Sequence, residues 1–332
     1  MTAQRQHVTP RLTLIIPIHN EAEVIPLLLR RIARVIDQID GDTELLFIDD
    51  GSRDHSVSLL LAARHRHPEI RVLQLSRNFG KEAAVSAGLA KARGDAVILL
   101  DADLQDPPEL IPEMLDAHQQ GADVVLMRRR SRTGESWLKR FSASVFYRLL
   151  NRISDSPIPV DVGDFRLMSR RTVDMLNALP ERNRYMKGLF AWVGMNTVTL
   201  DFDRAPRAAG RSRWDYFKLV GLAMEGISSF STRPLRIALA LGVITAGFGG
   251  AFGIWEVART LIFGINTPGY ASMITVTTFL CGVQLLCIGV LGEYVGRIYI
   301  ETKQRPIFIV SEDSAEAHQP AEGAENTGLR LV

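Results

Sequence analysis

The sequence predicts an α/β protein: a Rossmann-like domain with a mostly parallel sheet, followed by a C-terminal hairpin of two apolar helices. Three features of the chain predict it. Within the first 130 residues, short β-rich apolar runs alternate with stretches whose apolar residues recur every three or four positions, the pattern of parallel βαβ units. One run, Ala96-Val97-Ile98-Leu99-Leu100, ends in Asp101-Ala102-Asp103, which delivers two carboxylates to the carboxyl edge of a buried strand. Far downstream, 237–255 and 273–292 contain no Asp, Glu, Lys or Arg, and a run of roughly 20 such residues can cross a bilayer.

Residues 1–10 are polar, lack an apolar signal core and are expected to be flexible. Strands follow at 12–17, 44–49, 71–75, 96–101 and 123–127, with helices at 21–38, 54–67, 81–92 and 109–119 between them. Helices of this length imply right-handed crossovers and a ligand site along the strand ends. The loop after the first strand reads Pro17-Ile18-His19-Asn20-Glu21, and the loop after the second reads Asp49-Asp50-Gly51-Ser52-Arg53-Asp54. Gly51 is ordinary turn chemistry, and Ser52 or Asp54 is equally well a plain helix cap. The second acid beside Asp49 has no such account, and carboxylates there can accept hydrogen bonds from ribose hydroxyls or a base N–H. Neither G-x-G-x-x-G nor G-x-x-x-x-G-K-[ST] occurs, so dinucleotide and P-loop readings lose their usual support.

The acids at 101 and 103 repel each other unless a cation sits between them. Their oxygens suit a hard divalent ion, Mg²⁺ or Mn²⁺, that completes its shell with substrate phosphates. A cap by Asp103 on the Pro107-Pro108 turn explains one acid, but neither the pair nor Gln105. Further on, Gly163 lets the backbone turn and present Asp164, whose alternative is a structural pair with Arg166. Two basic clusters, Arg128 to Arg130 with Arg132, Lys139 and Arg140, and then Arg204, Arg207, Arg211 and Arg213, can meet phosphate on a substrate or on lipid headgroups, with about half of these residues forming a solvated face. Residues 136–150 fit an interfacial helix or core packing equally, and 214–230 is the stronger interfacial candidate.

Lys plus Arg total 39 against 37 for Asp plus Glu, which gives nucleic acid no support as a partner. The only cysteines, Cys281 and Cys287, lie in the second apolar run, so no disulfide framework or Cys-based zinc site is on offer. Arg233 and Arg236 precede the first run, and Arg297, Lys303 and Arg305 follow the second, while 264–272 has no basic residue. Despite Arg259, this asymmetry puts the main domain on the cytoplasmic side. The resulting division is a soluble domain at 11–213, a juxtamembrane helix at 214–233, and a hairpin at 234–300 with spans at about 235–257 and 272–294. A cytoplasmic tail covers 301–332; beyond Val310 it is acidic, with Glu312, Asp313, Glu316, Glu322 and Glu325, and is expected to be disordered.

Taken together, I-I-P-I-H-N-E at 15–21, I-D-D-G-S at 48–52, N-F-G-K at 78–81, D-A-D-L-Q-D-P-P-E at 101–109 and V-G-D-F-R-L-M at 162–168 resemble the inverting glycosyltransferases of family 2. Each motif alone is weak, whereas the ordered set is specific. The resemblance runs from about residue 11 to 310. It is strongest to the polyprenyl-phosphate glycosyltransferases, relatives of dolichol-phosphate mannose synthase, in their bacterial form with two transmembrane helices. It implies a GT-A fold, Mg²⁺ or Mn²⁺ as cofactor, a nucleotide-sugar donor and polyprenyl phosphate as acceptor. The donor pocket would be lined by Pro17, Asn20, Glu21, Asp49, Asp50, Lys81, Asp101, Ala102 and Asp103. Asp101, Asp103 and Gln105 would hold the metal, and Asp164 and Asp103 would serve catalysis. Arg128, Arg207, Arg211 and Arg213 would meet phosphate, although many members carry Lys where this chain has Arg213; Arg is the better bidentate partner.

The implied reaction is transfer of glucose from UDP-glucose to undecaprenyl phosphate for cell-envelope glycosylation, at the inner membrane. GDP-mannose and UDP-linked amino or acetamido sugars are the alternative donors. The resemblance also implies a homo-oligomer, a tetramer in similar proteins. The acceptor, a phosphate monoester with a second pKa of about 6, is largely dianionic near neutrality, so Asp164 is expected to orient a substrate more than to remove a proton. A processive polysaccharide synthase would bring more membrane helices and a Q-x-x-R-W motif, which the chain lacks. A non-catalytic, nucleotide-sugar-binding assembly factor is the reading from another class.

Overall fold

A computed structural model of the chain describes residues 11–130, 162–203, 231–264 and 269–316. The expected strands form as β1 (Leu12–Ile18), β2 (Thr43–Asp49), β3 (Ile70–Leu75), β4 (Ala96–Leu99) and β5 (Val124–Arg129). Between them lie α1 (Ile25–Ile36), α2 (Ser56–Ala63), α3 (Lys81–Lys91) and α4 (Ile111–Gln119), the last entered through a 3-10 turn at Pro108–Leu110. Then come β6 (Val162–Ser169), α5 (Arg170–Ala178), α6 (Met186–Trp192) and β7 (Thr197–Phe202). Two long helices, α7 (Arg233–Phe263) and α8 (Tyr270–Lys303), precede a last strand, β8 (Val310–Asp313).

The eight strands form one sheet in the order β7-β5-β6-β4-β1-β2-β3-β8. β1 is parallel to β2 and β4, β2 to β3, and β5 to β7. β6 inserts antiparallel between β4 and β5, and β8 lies antiparallel along β3. Side-chain alternation explains why the strands read as continuous apolar runs. Leu12, Leu14 and Ile16 of β1 pack with Ile25, Leu28 and Ile32 of α1 on one face, while Ile15 points to the other face with Ala84 and Ala87 of α3. A Cβ on Gly88 would collide with the Ile15 side chain, so α3 seats tightly against β1.

Element boundaries differ from expectation where the site begins. β4 stops at Leu99; Leu100 N–H still donates to Ile15 O at 3.0 Å, and the chain then leaves the sheet at the acid pair. α1 starts four residues later than its periodicity suggests, because Asn20 takes a left-handed conformation (φ 57°) and its N–H is satisfied by Ser52 Oγ instead of a helix. The interfacial candidates at 136–150 and 214–230, the start at 1–10, Arg207, Arg211 and Arg213, and the tail beyond 316 lie outside the described residues.

α7 and α8 outrun their expected spans at 235–257 and 272–294. At 31 and 34 residues each is over 45 Å long, at about 1.5 Å per residue. Phe248, Ile254, Leu261 and Leu285 are exposed by 69% or more, an apolar surface suited to lipid. Tyr294 OH donates to Ser231 O at 2.6 Å, tying the two helices together near one end.

For residues 311–316 the expectation of disorder after Val310 does not hold. Asp313 is 7% exposed, and its carboxylate accepts from Arg71 Nε and Nη2 at 2.9 and 2.5 Å. Arg71 Nη1 also donates to Glu44 at 3.1 Å. Acidic composition alone suggests solvation, but Asp313 finds a buried cation 242 residues upstream, which no local pattern reveals. The strand so anchored covers the edge of β3 that would otherwise be open. Substituting Asp313 by Ala is therefore expected to destabilise the protein by about 3 kcal/mol, the low end for a broken buried pair because Glu44 remains. Thermal unfolding of the full chain, with amide exchange along β3, checks it; unchanged midpoints and equally protected β3 amides would contradict the anchoring role.

Candidate active site

The ends of β1, β2 and β4 open onto a cavity of about 320 Å³. Its walls are set by loop-to-loop hydrogen bonds. Asn20 Oδ1 accepts from Arg53 N at 2.8 Å, and Ser52 Oγ accepts from Asn20 N at 2.9 Å, so the first two loops are knitted together. Gly51 (φ 68°) is required at the crossing, since a Cβ there would lie 2.7 Å from the Arg77 carbonyl carbon and Asn78 N. Asp50, 4% exposed, accepts from Phe79 N at 2.7 Å and Gly80 N at 2.9 Å, which fixes the entry to α3. His19 Nδ1 lies 2.9 Å from Asp50 O and Nε2 lies 3.0 Å from Asn20 Nδ2. That network assigns the proton to Nδ1, leaving Nε2 as acceptor.

The acids meet through sheet topology. Leu99 of β4 pairs with Arg166 of β6, which brings Asp101, just past the end of β4, and Asp164 of β6 to the same end of the sheet. Lys81, the first residue of α3, bridges them: its Nζ is 2.7 Å from Asp101 Oδ1 and 2.5 Å from Asp164 Oδ2. Burial opposes the charged ammonium, but the two carboxylates outweigh it and raise its pKa above the ordinary lysine value. Burial would likewise lift Asp164, yet Lys81 and Lys187 hold its carboxyl well below the usual carboxylate range. Behind this pair, buried Arg166 stacks on Phe190 at 4.0 Å and donates to Gly163 O at 2.8 Å. Its pKa is lowered to about 10 by burial, with Asp164 and Glu82 opposing. Glu82 accepts from Met186 N at 3.0 Å, and burial, helped by Asp164, pushes its pKa up to about 7.

Pro17, Glu21, Asp50, Lys81, Asp101, Ala102 and Asp103 line the cavity together. Asn20 braces the loops. Asp49, 3% exposed, turns its carboxylate to Ser52 N at 3.1 and 3.3 Å, a local turn role. Asp103 lines the wall and also accepts from Gln105 N at 3.1 Å, in a turn completed by Leu104 at φ 59°. Gln105 itself is not in the wall. Arg128 makes a two-pronged bond to Asp201 at 2.7 and 3.0 Å across β5 and β7. His19, Asn78 and Gly80 join the wall without having been singled out. His19 and Asn78 stand inside the strand-end motifs, but only the β1 and β3 ends coming together makes them neighbours, at 3.2 Å.

The donor set fits a hard divalent cation. Asp101 and Asp103 offer only carboxylate oxygens, and Asp101 already faces a cation, the Lys81 ammonium. Among the described residues no three His, Cys, Asp or Glu are grouped to hold a metal alone, so such an ion would draw its other ligands from substrate oxygens and water.

Residues 13–176 match the family described as Glycosyl transferase family 2, and residues 233–298 match the GtrB C-terminal hairpin. A bactoprenol glucosyl transferase of Shigella phage SfV is 46% identical over 303 residues, 91% of this chain and 99% of the relative. An uncharacterized glycosyltransferase of Synechocystis is 44% identical over 305 residues, 92% of this chain and 96% of that protein. Among solved structures, glucosyl-3-phosphoglycerate synthase from Mycobacterium tuberculosis, with Mn²⁺, UDP and glucosyl-3-phosphoglycerate, is similar at a TM-score of 0.47 and 20% identity, covering 68% of this chain and 84% of that one. With both its parts matched in order and relatives this similar over nine-tenths of its length, the chain belongs to glycosyltransferase family 2 and is a glycosyltransferase carrying the GtrB-type C-terminal hairpin.

Proposed function

We propose that this glycosyltransferase moves glucose from UDP-glucose to undecaprenyl phosphate with inversion, at the cytoplasmic face of the inner membrane. The observation that carries this is the likeness to the phage bactoprenol glucosyl transferase, because it runs through the cavity motifs and the hairpin alike. GDP-mannose and UDP-linked amino or acetamido sugars are the donors that a panel assay separates from UDP-glucose.

The site's charges support such a transfer. Mg²⁺ or Mn²⁺ held by Asp101 and Asp103 would neutralise the diphosphate as it departs from the sugar. Lys81 stands where it can turn from Asp101 toward an incoming phosphate while keeping Asp164. Asp50 and His19 hold the loops that shape the donor pocket. Asp164 stays ionised across neutral pH and is a weak base, so its role is to orient a substrate or stabilise positive charge at the sugar. A lipid phosphate needs no base, since it is already largely dianionic near neutrality. One in-line displacement inverts the anomeric centre.

The hairpin supports a lipid acceptor. A prenyl chain leaves the bilayer at a cost of about 0.8 kcal/mol per CH₂, so the cavity must come to the headgroup plane. Glu301, near the end of α8, accepts from Arg182 N and Asn183 N at 3.0 Å and so fastens the hairpin to the loop before α6. Arg233, Arg236, Arg297, Lys303 and Arg305 all cluster toward that end, consistent with a cytoplasmic site.

Two outcomes are expected. In membranes supplied with undecaprenyl phosphate and labelled UDP-glucose, an Asp103→Ala variant should insert normally yet transfer at least about a hundredfold less label to lipid. Undiminished transfer removes the metal role, and donor binding by wild type without transfer to any lipid favours the assembly-factor reading. The second concerns pH. Between its ordinary value of 4.5 and about 7, Glu82 keeps a proton when folded that the unfolded chain has released, so stability should fall as pH rises through that window. Glu82→Gln should flatten this slope in thermal midpoints recorded across the window; parallel curves for the two proteins would count against it.

A further inference from the structure

A second cavity, of about 540 Å³, opens where the end of α8 meets the catalytic domain, and shares Gly80 and Lys81 with the donor cavity. Among the described residues its wall carries six cations, Arg77, Lys81, Arg182, Arg184, Lys303 and Arg305, against one acid, Glu82. Four of these cations, Arg77, Arg182, Arg184 and Lys303, rest against rings or backbone carbonyls. Arg77 lies over the Phe79 ring at 4.2 Å, and Lys303 over Tyr299 at 4.2 Å. Arg182 donates to Arg305 O at 2.6 Å, and Arg184 donates to Glu181 O and Leu179 O at 3.1 and 2.9 Å. Lys81 apart, none of the six forms an ion pair with a carboxylate among the described residues. Cations gathered on one concavity, four of them braced by rings or carbonyls and none but Lys81 in an ion pair with a carboxylate, although Glu181 lies near enough to act on Arg184, form a site for an anion with several acceptor oxygens.

The same wall says which anion. Lys303 is the last residue of α8, and Tyr299 and Ile300, one turn earlier, are 59% and 51% exposed. Cationic and apolar surface therefore adjoin at a helix end, the pairing that suits a phosphate joined to acyl chains better than a free one. We propose that this cavity binds the headgroup phosphate of an anionic membrane phospholipid, distinct from the sugar acceptor, with its acyl chains along α8. The inference rests on the hairpin spanning the bilayer and not on which sugar is transferred.

The test uses the full-length protein in nanodiscs of phosphatidylcholine alone or with phosphatidylglycerol. Wild type should retain phosphatidylglycerol in native mass spectrometry and gain thermal stability from it. Lys303→Gln and Arg305→Gln should each weaken retention by about fivefold, with Lys303→Arg restoring it, while midpoints in phosphatidylcholine alone stay unchanged. Equal retention by wild type and the Gln variants would overturn the site. Stabilisation by inorganic phosphate that phosphatidylglycerol does not exceed would reassign it to a soluble anion. Displacement of phosphatidylglycerol by undecaprenyl phosphate, with a raised acceptor KM in the Gln variants, would make it the acceptor's own cavity and overturn the distinction.

Discussion

Like charges brought together at a sheet edge need a counter-charge, and the arrangement here turns on how Lys81 supplies it. Asp101 and Asp164 come from strands that are adjacent in the sheet, so their repulsion is built into the topology. The Lys81 side chain as a whole is 45% exposed although its ammonium is tucked between the two carboxylates, so the stem has room to swing when other charges arrive. Under the proposed function the site would take up a diphosphate and a cation, and a resident positive charge mobile on a four-carbon stem suits that exchange. The close seating of α3 against β1 delivers that lysine, and Asp50 fixes the turn from which α3 starts.

Much of this was legible from periodicity and loop composition, because parallel βαβ units write their strands as apolar runs and their ligand loops as polar breaks. The pair at 101 and 103 announced itself for that reason. What could not be read was which distant residues meet. Asp164 becomes a neighbour of Asp101 only because β6 inserts antiparallel beside β4. Asp49 and Asp50 look alike in sequence, yet one closes its own turn and the other reaches backbone N–H groups 29 and 30 residues away. The start of the acidic tail misled for the same reason: Asp313 is solvated in composition but buried in fact, since its cation lies on β3. Local pattern reports what a segment can do alone, and long-range charge pairing is not local.

The course of the chain after α8 has a mechanical consequence. The helix ends at Lys303, and within ten residues the backbone has joined the sheet as β8. Glu301 fastens to the loop before α6, and Arg71 grips the strand beyond. The hairpin is thus tied to the catalytic domain at two nearby points, which limits rotation of the cavity relative to the helices more than a flexible tail would. For a donor drawn from water and an acceptor confined to a bilayer, a fixed tilt lowers the orientational cost of bringing the two together.

Lys81 and Gly80 stand in the walls of both cavities, so the two cannot be electrostatically independent. A phosphate bound among Arg77, Lys303 and Arg305 would reduce the positive field felt by Lys81 and relieve repulsion among the five other cations. Glu82, on the same turn of α3, is the group placed to register that change, because burial already holds it near its point of titration. An added negative charge beside it would favour the protonated form, whereas an empty basic cavity favours the carboxylate. Were the basic cavity occupied as proposed, its anion would act on the charge state one residue from the bridging lysine through the first turn of a single helix.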